Sequence, residues 1–342
     1  MAHLALYRKY RSQKFADLIG QDAVVRTLQN AIEKGRIAHA YLFTGPRGTG
    51  KTSAARLLAK ALACVHGPAP EPCNECENCR SIIDGSAMDL IEIDAASESG
   101  VDNVRETIVE AVDYHPTVFR YKVFIIDEVH DLSRNAFDAL LKTIEEPPAH
   151  VVFILATTEF NRVPPTIRSR CQRFEFHRGT VQDLHKRLAQ VAEAEGIEAE
   201  PAALGVIAKM ADGGYRDALT LLEQAMVTAS GPITQDHVYE QLGLISEDTL
   251  DALIKAVHAG EPSQTIETLD RIYRSGRDPK TIVEAMLLRM SDLTRALLGL
   301  TSASSADPSL EAATRALAVE IGQTEILRLQ ARLAEIHAQI KD

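Results

Sequence analysis

The chain has 342 residues, 45% of them hydrophobic and 25% charged; these are globular values, and the length excludes a single ordinary core, so two or three domains are expected. The net charge of −11 excludes nucleic-acid binding through an overall basic field, leaving only a local basic surface for such contact. The N-terminal MAHLALYRKYRSQKF lacks a signal-peptide core, and no apolar run approaches the roughly 18 residues of a membrane span, so a cytoplasmic protein with no membrane partner is expected.

In chain order, residues 22–35 (DAVVRTLQNAIEKG) repeat apolar residues at helical spacing and stop at a glycine, and residues 40–45 (AYLFTG) are a short apolar run entering a glycine-rich turn. This predicts strand, loop, helix. Gly45, Pro46, Arg47, Gly48, Thr49, Gly50, Lys51 and Thr52 fit G-x4-G-K-[ST], with Ser53 following. Between a strand and a helix, that pattern reads as a phosphate-binding loop. Glycines let backbone N–H groups face the phosphates, Lys51 reaches the β- and γ-phosphates, and the Thr52 hydroxyl can ligate Mg2+.

Four of the five cysteines follow closely, with Cys64, Cys73, Cys76 and Cys79 spaced C-x8-C-x2-C-x2-C. Paired C-x2-C turns can bring thiolates to one tetrahedral centre, so a Zn2+ module at 64–79 is favoured over disulfides or an iron–sulfur cluster. Four thiolates would fill the zinc shell and leave no place for water, which makes the module structural. Its place behind the phosphate-loop helix predicts a short rigid protrusion pointing away from the nucleotide.

Residues 89–94, 121–127, 150–158 and 172–176 are further buried-strand candidates, with helical patterns such as NVRETIVEAV between them. Alternation of strands and helices predicts an α/β fold with a parallel sheet covered by helices on both faces. The strand VFIID delivers Asp127 and Glu128 at its C-terminal end, where parallel sheets bind ligands. Asp127 is placed to hold Mg2+ and Glu128 to orient an attacking water. No N-K-x-D signature occurs, which favours ATP over GTP. After about residue 178 the pattern is helical, in a small set and then a longer one from about 243, with an exposed loop expected over 301–309. That pattern argues against a DExH helicase, which needs a second α/β lobe.

YRKYRSQKFADLIGQD, HAYLFTGPRGTGKTSAARLLAKAL, the four-cysteine insert, DLIEIDAAS, VFIIDEVHDLS, ALLKTIEEPP, FILATTE, SRC and GGYRDAL together span residues 1 to about 225. This series resembles the AAA+ clamp-loader ATPases of the tau/gamma type, found in bacterial DNA polymerase III; residues 243–342 match only as helical sequence of suitable length. The resemblance implies an AAA+ nucleotide-binding domain over 1–178, a helical lid over 179–242 and a helical oligomerisation collar over 243–342. It also implies that Arg170 of SRC is an arginine finger reaching the ATP of a neighbouring subunit, that Arg216 is a second sensor on the γ-phosphate, and that Thr157 is a first sensor. The implied cofactors are ATP, Mg2+ and Zn2+. The implied partners are sister clamp-loader subunits of the delta and delta-prime type, further copies of this chain, a sliding clamp and primer–template DNA held by its phosphates.

Two positions depart from the family pattern. Ser12 stands where relatives commonly have proline, in a segment expected against the adenine, and Glu98 stands where some have a basic or amide residue, which moves the expected DNA-phosphate contact to Arg105. The chain stops at Asp342 without the tail that tethers helicase and polymerase in the tau form, so a gamma-like or shortened form is expected. A branch-migration motor sharing the AAA+ core, and a zinc-containing binding scaffold with a vestigial nucleotide site, are the alternatives.

Overall fold

The computed structural model describes residues 4–97, 105–274, 276–300 and 308–340. Two compact units divide the chain: one holds the residues up to Asp183 together with Asp212–Asp217, the other Leu184–Ala211 and Ala218 onward.

The first unit is built on five parallel strands, β1 Ala40–Thr44, β2 Leu90–Asp94, β3 Lys122–Asp127, β4 Val151–Thr157 and β5 Gln172–Glu175, in the order β2-β3-β4-β1-β5. Each lies within one residue of where the apolar runs predict it. Alternation along the strands builds two cores at once. Beyond a short α1 (Leu6–Lys9), Tyr41, Phe43, Val123, Ile125, Val152 and Ile154 pack on one face with α2 (Asp22–Glu33) and α3 (Lys51–Ala63). Leu42, Phe124, Ile126, Phe153 and Leu155 pack on the other with Phe137, Leu140 and Ile144 of a helix over Arg134–Glu145. Register pairs Thr44 with Thr157 and Asp94 with Asp127, so the polar strand ends form one edge. Ligands bind at that edge in parallel sheets.

Two sequence expectations change in detail. The helical pattern NVRETIVEAV becomes a wide π turn over Arg105–Val109 followed by a short helix over Glu110–Val112, its first two residues lying outside the described ones. Of the loop expected over 301–309, residues 301–307 lie outside the described residues, and Pro308 opens a helix to Ile321; proline fits a first helical position because its missing N–H has no helical partner there. Among its described residues, the second unit is helical apart from one bridge, Ala199 to Ile233. Its larger core joins Leu253, Ile254, Met290 and Leu293, beside a buried Arg289 that grips Asp251 through two 2.7 Å bonds. Among the described residues, no helix is long and apolar enough to cross a membrane.

Candidate functional site

The strand β1 runs straight into the glycine-rich loop, where Gly45, Gly48 and Gly50 adopt φ of 146°, 76° and 98°. At Gly45 a Cβ would stand 2.3 Å from the Phe176 carbonyl oxygen, so the turn admits only glycine. Lys51 opens α3 and is buried, its ammonium donating to the carbonyls of Gly45 and Pro46 at 2.8 Å each. That places a positive charge inside the loop. Burial lowers its pKa, opposed by the negative charges of Glu128 and Asp127. Arg47 is exposed, Thr49 is buried with its hydroxyl donating to Pro46, and Ser53 is half-buried one residue beyond Thr52.

From the opposite side, β3 brings its carboxylates to the same place. The Thr52 hydroxyl donates to Asp127 Oδ2 at 2.5 Å, and the Glu128 N–H donates to Asp127 Oδ1 at 3.0 Å. A hydroxyl and a carboxylate side by side are hard oxygen ligands, and they fit a Mg2+ ion. Glu128 takes a left-handed backbone, φ 46° and ψ 44°, a conformation that costs a residue with a Cβ about 1–2 kcal/mol. Such strain survives where the surrounding structure enforces it, commonly at functional sites. The Glu128 carboxylate accepts from the N–H and the hydroxyl of Thr158, at 3.2 and 3.1 Å.

Thr157 behaves differently from its neighbour because successive strand residues face opposite ways. It is fully buried, and its hydroxyl meets His130 Nδ1 at 3.0 Å and accepts the Glu159 N–H at 3.0 Å. His130 in turn lies 3.4 Å from Glu128 Oε2. Thr157 and the Glu128 carboxylate thus both approach the one His130 Nδ1, while Thr158 touches Glu128 directly. Arg216 is exposed, with its guanidinium 4.7 Å from the centre of the Tyr7 ring. The preceding Tyr215 is pinned to the loop: its N–H donates to Gly48 O and its hydroxyl to Ile19 O, both at 2.9 Å. Arg170 lies in the connection that leads from β4 to the edge strand β5, half-exposed and paired with Glu145 at 2.5 Å.

Tyr7, His130, Thr158 and Tyr215 are the residues that sequence reasoning passed over. The doubled threonine of LATTE and the histidine of DEVH carried a signal; the two tyrosines gave none, since their partners lie about 200 residues away in sequence (Tyr7 to Arg216, Tyr215 to Ile19). Glu98 lies outside the described residues, as does the side chain of Arg105. Ser12 is half-buried, its hydroxyl donating to the Asp17 carbonyl at 3.4 Å.

The four cysteines gather at the far end of α3. Cys64 caps that helix, 13 residues from Lys51, which is about 20 Å at 1.5 Å per residue. The four sulfurs lie within 4.8 Å of one another, with Cys73 and Cys79 3.9 Å apart. Tetrahedral Zn–S bonds of about 2.3 Å require sulfur separations of about 3.8 Å, so the geometry fits zinc. Backbone N–H groups of Cys76 and Glu75 bring the Cys73 thiol down to about 6, whereas burial pushes Cys79 up. Cys171 is outside the cluster, and burial raises its thiol to about 12.

Three family models match in succession: "DNA polymerase III, delta subunit" over residues 20–180, "DNA polymerase III clamp loader subunit, ATPase lid domain" over 183–231, and "DNA polymerase III subunits gamma and tau domain III" over 233–331. The chain is 48% identical to DNA polymerase III subunit tau of Bacillus subtilis, over 86% of this chain and 52% of that protein. It is 41% identical to the Escherichia coli tau subunit, over 95% and 50%, and 42% identical to the gamma subunit of Buchnera aphidicola, over 84% and 79%. The chain thus spans about half the length of the tau relatives it matches. Among solved structures, the Thermotoga maritima RuvB Holliday junction branch migration motor superposes with a TM-score of 0.52 at 21% identity, covering 89% of this chain and 91% of that one, a likeness of AAA+ fold alone. With the phosphate loop, the carboxylate strand and the cysteine cluster in the order of that series, the chain belongs to the DNA polymerase III tau/gamma family.

Proposed function

We propose that this chain is the ATP-hydrolysing motor subunit of a bacterial replicative clamp loader, which opens a sliding clamp and places it on primed DNA. One observation supports it above others: in a chain of this family, Lys51, Thr52, Asp127 and Glu128 converge on one phosphate loop at the C-terminal edge of the sheet. Loop N–H groups and the Lys51 ammonium would hold the β- and γ-phosphates, and Thr52 and Asp127 would hold Mg2+. Glu128 would orient the attacking water, with Thr158 and His130 fixing its carboxylate and Thr157 acting through His130. Arg216 would contact the γ-phosphate from its own chain. Arg170, beside the edge strand, would reach the nucleotide of a neighbouring subunit and stabilise charge on the transferring phosphoryl group.

The three-part division at about residues 178 and 242 goes with this reading, the last part serving as the collar for delta-type, delta-prime-type and identical subunits. The four cysteines would bind one structural Zn2+, and the protein would work in the cytoplasm on primer–template DNA. The RuvB likeness favours only the shared fold; the family match and the cysteine cluster favour the clamp loader.

Two variants test the site. Lys51→Ala should lose ATP affinity, because the phosphates lose their point charge, while Glu128→Gln should bind ATP normally and stall hydrolysis. Equal loss of binding in both would mean that Glu128 serves the fold and not the reaction.

A further inference from the structure

The cysteine insert grips the N-terminal arm. Lys60, on the last turn of α3, is 2% exposed. Its ammonium donates to Asn74 Oδ1 at 2.6 Å, inside the Cys73–Cys76 turn, and to the backbone carbonyl and side chain of Gln13 at 3.0 and 2.7 Å. A second tie runs parallel to it, since Glu71 accepts the Phe15 N–H at 3.1 Å and holds Gln29 at 2.9 Å. Asn74 has φ 62°, so the turn that presents its oxygen is itself held in an uncommon conformation.

A buried ammonium needs compensating charge. Burial lowers the Lys60 pKa, and the opposing charges are, in order, Cys79, Asp17, Glu71 and Cys73. Two of these four are cysteines of the cluster. One Zn2+ held by four thiolates would carry a net charge of −2 and add to the charges of Asp17 and Glu71. Without the metal the cluster holds less, since of its thiols the one at Cys73 is brought down to about 6 while burial pushes Cys79 up.

We propose that the zinc-loaded cysteine cluster is the anchor of the N-terminal arm, with Lys60 as the positioning residue that links them. This rests on the reading of the cluster as a zinc site. The link gives the insert a role at the nucleotide although the two lie at opposite ends of α3. The arm it holds carries Leu18, 3.4 Å from where a Cβ on Gly50 of the phosphate loop would lie, and Tyr7, which faces Arg216. An unanchored arm would leave both contacts free to wander.

The test is amide hydrogen exchange on the full chain, reading residues 10–18 against β3, with bound metal measured in every sample. Stripping the metal with a chelator should speed exchange in residues 10–18 at least tenfold and leave β3 protected. Lys60→Met, which keeps the stem and the cysteines but removes the charge, should retain one zinc and give the same rise. Glu71→Gln, cutting only the parallel tie, should give a smaller rise. If Lys60→Met holds its zinc and the arm exchanges as in the wild type, the proposal is overturned while the zinc reading stands. If the purified reduced protein carries no metal, the zinc reading fails, and the proposal with it. Should stripping expose β3 as well, Lys60→Met decides alone.

Discussion

Replacing Glu128 by glycine and, separately, by alanine should reverse the usual order of stability. Both variants lose the same carboxylate bonds to Thr158, so that term cancels between them. What remains is the backbone. At φ 46° a Cβ costs about 1–2 kcal/mol, which alanine keeps and glycine sheds. Glycine gives back roughly 0.5–1 kcal/mol through its freer unfolded chain. Glu128→Gly should therefore be more stable than Glu128→Ala by about 0.75 kcal/mol at the midpoint of these ranges, whereas in an ordinary helix or strand it would be less stable by a similar amount. Native-state hydrogen exchange of the Ile125 and Ile126 amides in β3 reads this unit separately from the helical one, and should be about two- to fivefold slower in the glycine variant. Neither variant should hydrolyse ATP. If alanine proves the more stable, position 128 is not held in the left-handed region, and the view that strain there serves to aim a carboxylate is wrong.

Metal analysis of the reduced protein should find about one zinc per chain in a tetrahedral sulfur shell, unchanged by Cys171→Ser and lost in Cys79→Ser. Asp89 is 3% exposed; burial raises its pKa, but the N–H groups of Phe119, Thr117 and Val118, with the Thr117 hydroxyl, outweigh that and hold it below the usual value. A depressed folded pKa contributes stability that is present above the unfolded value of about 3.9 and is lost as pH falls through the folded one. Asp89→Asn should thus cost about 2 kcal/mol at neutral pH and little in strong acid, as read by denaturant unfolding across that range; a pH-independent loss would contradict it.

Features encoded within a few residues were legible before the fold was known. The phosphate loop needs its strand, glycines and lysine in sequence order, and the cysteine spacing carries its own geometry. Asp127 and Glu128 were legible because a buried strand must end somewhere, and these carboxylates mark where. Contacts that depend on strand order were not legible. β1 lies between β4 and β5, which nothing local to AYLFTG implies, and only that placement sets Gly45 against Phe176. The parity of Thr157 and Thr158 hinges on where β4 ends, a boundary that apolar patterning leaves open by a residue or two. Lys60 reads as an ordinary helix-face lysine; its burial comes from Gln13 and Asn74, 47 and 14 residues away.

If, as proposed, the site fires only when a neighbour supplies Arg170, mixed assemblies will reveal it. ATP hydrolysis should be measured in complexes with sister subunits, clamp and primed DNA, in which one subunit carries Arg170→Ala and the neighbour facing its nucleotide is wild type. This subunit should still hydrolyse its own ATP, whereas a site facing an Arg170→Ala neighbour should lose about 10³-fold or more in rate, with ATP binding by the isolated chain nearly unchanged. An Arg170→Ala subunit that stays inactive beside a wild-type neighbour would mean that Arg170 acts within its own chain, and that the finger in trans is wrong.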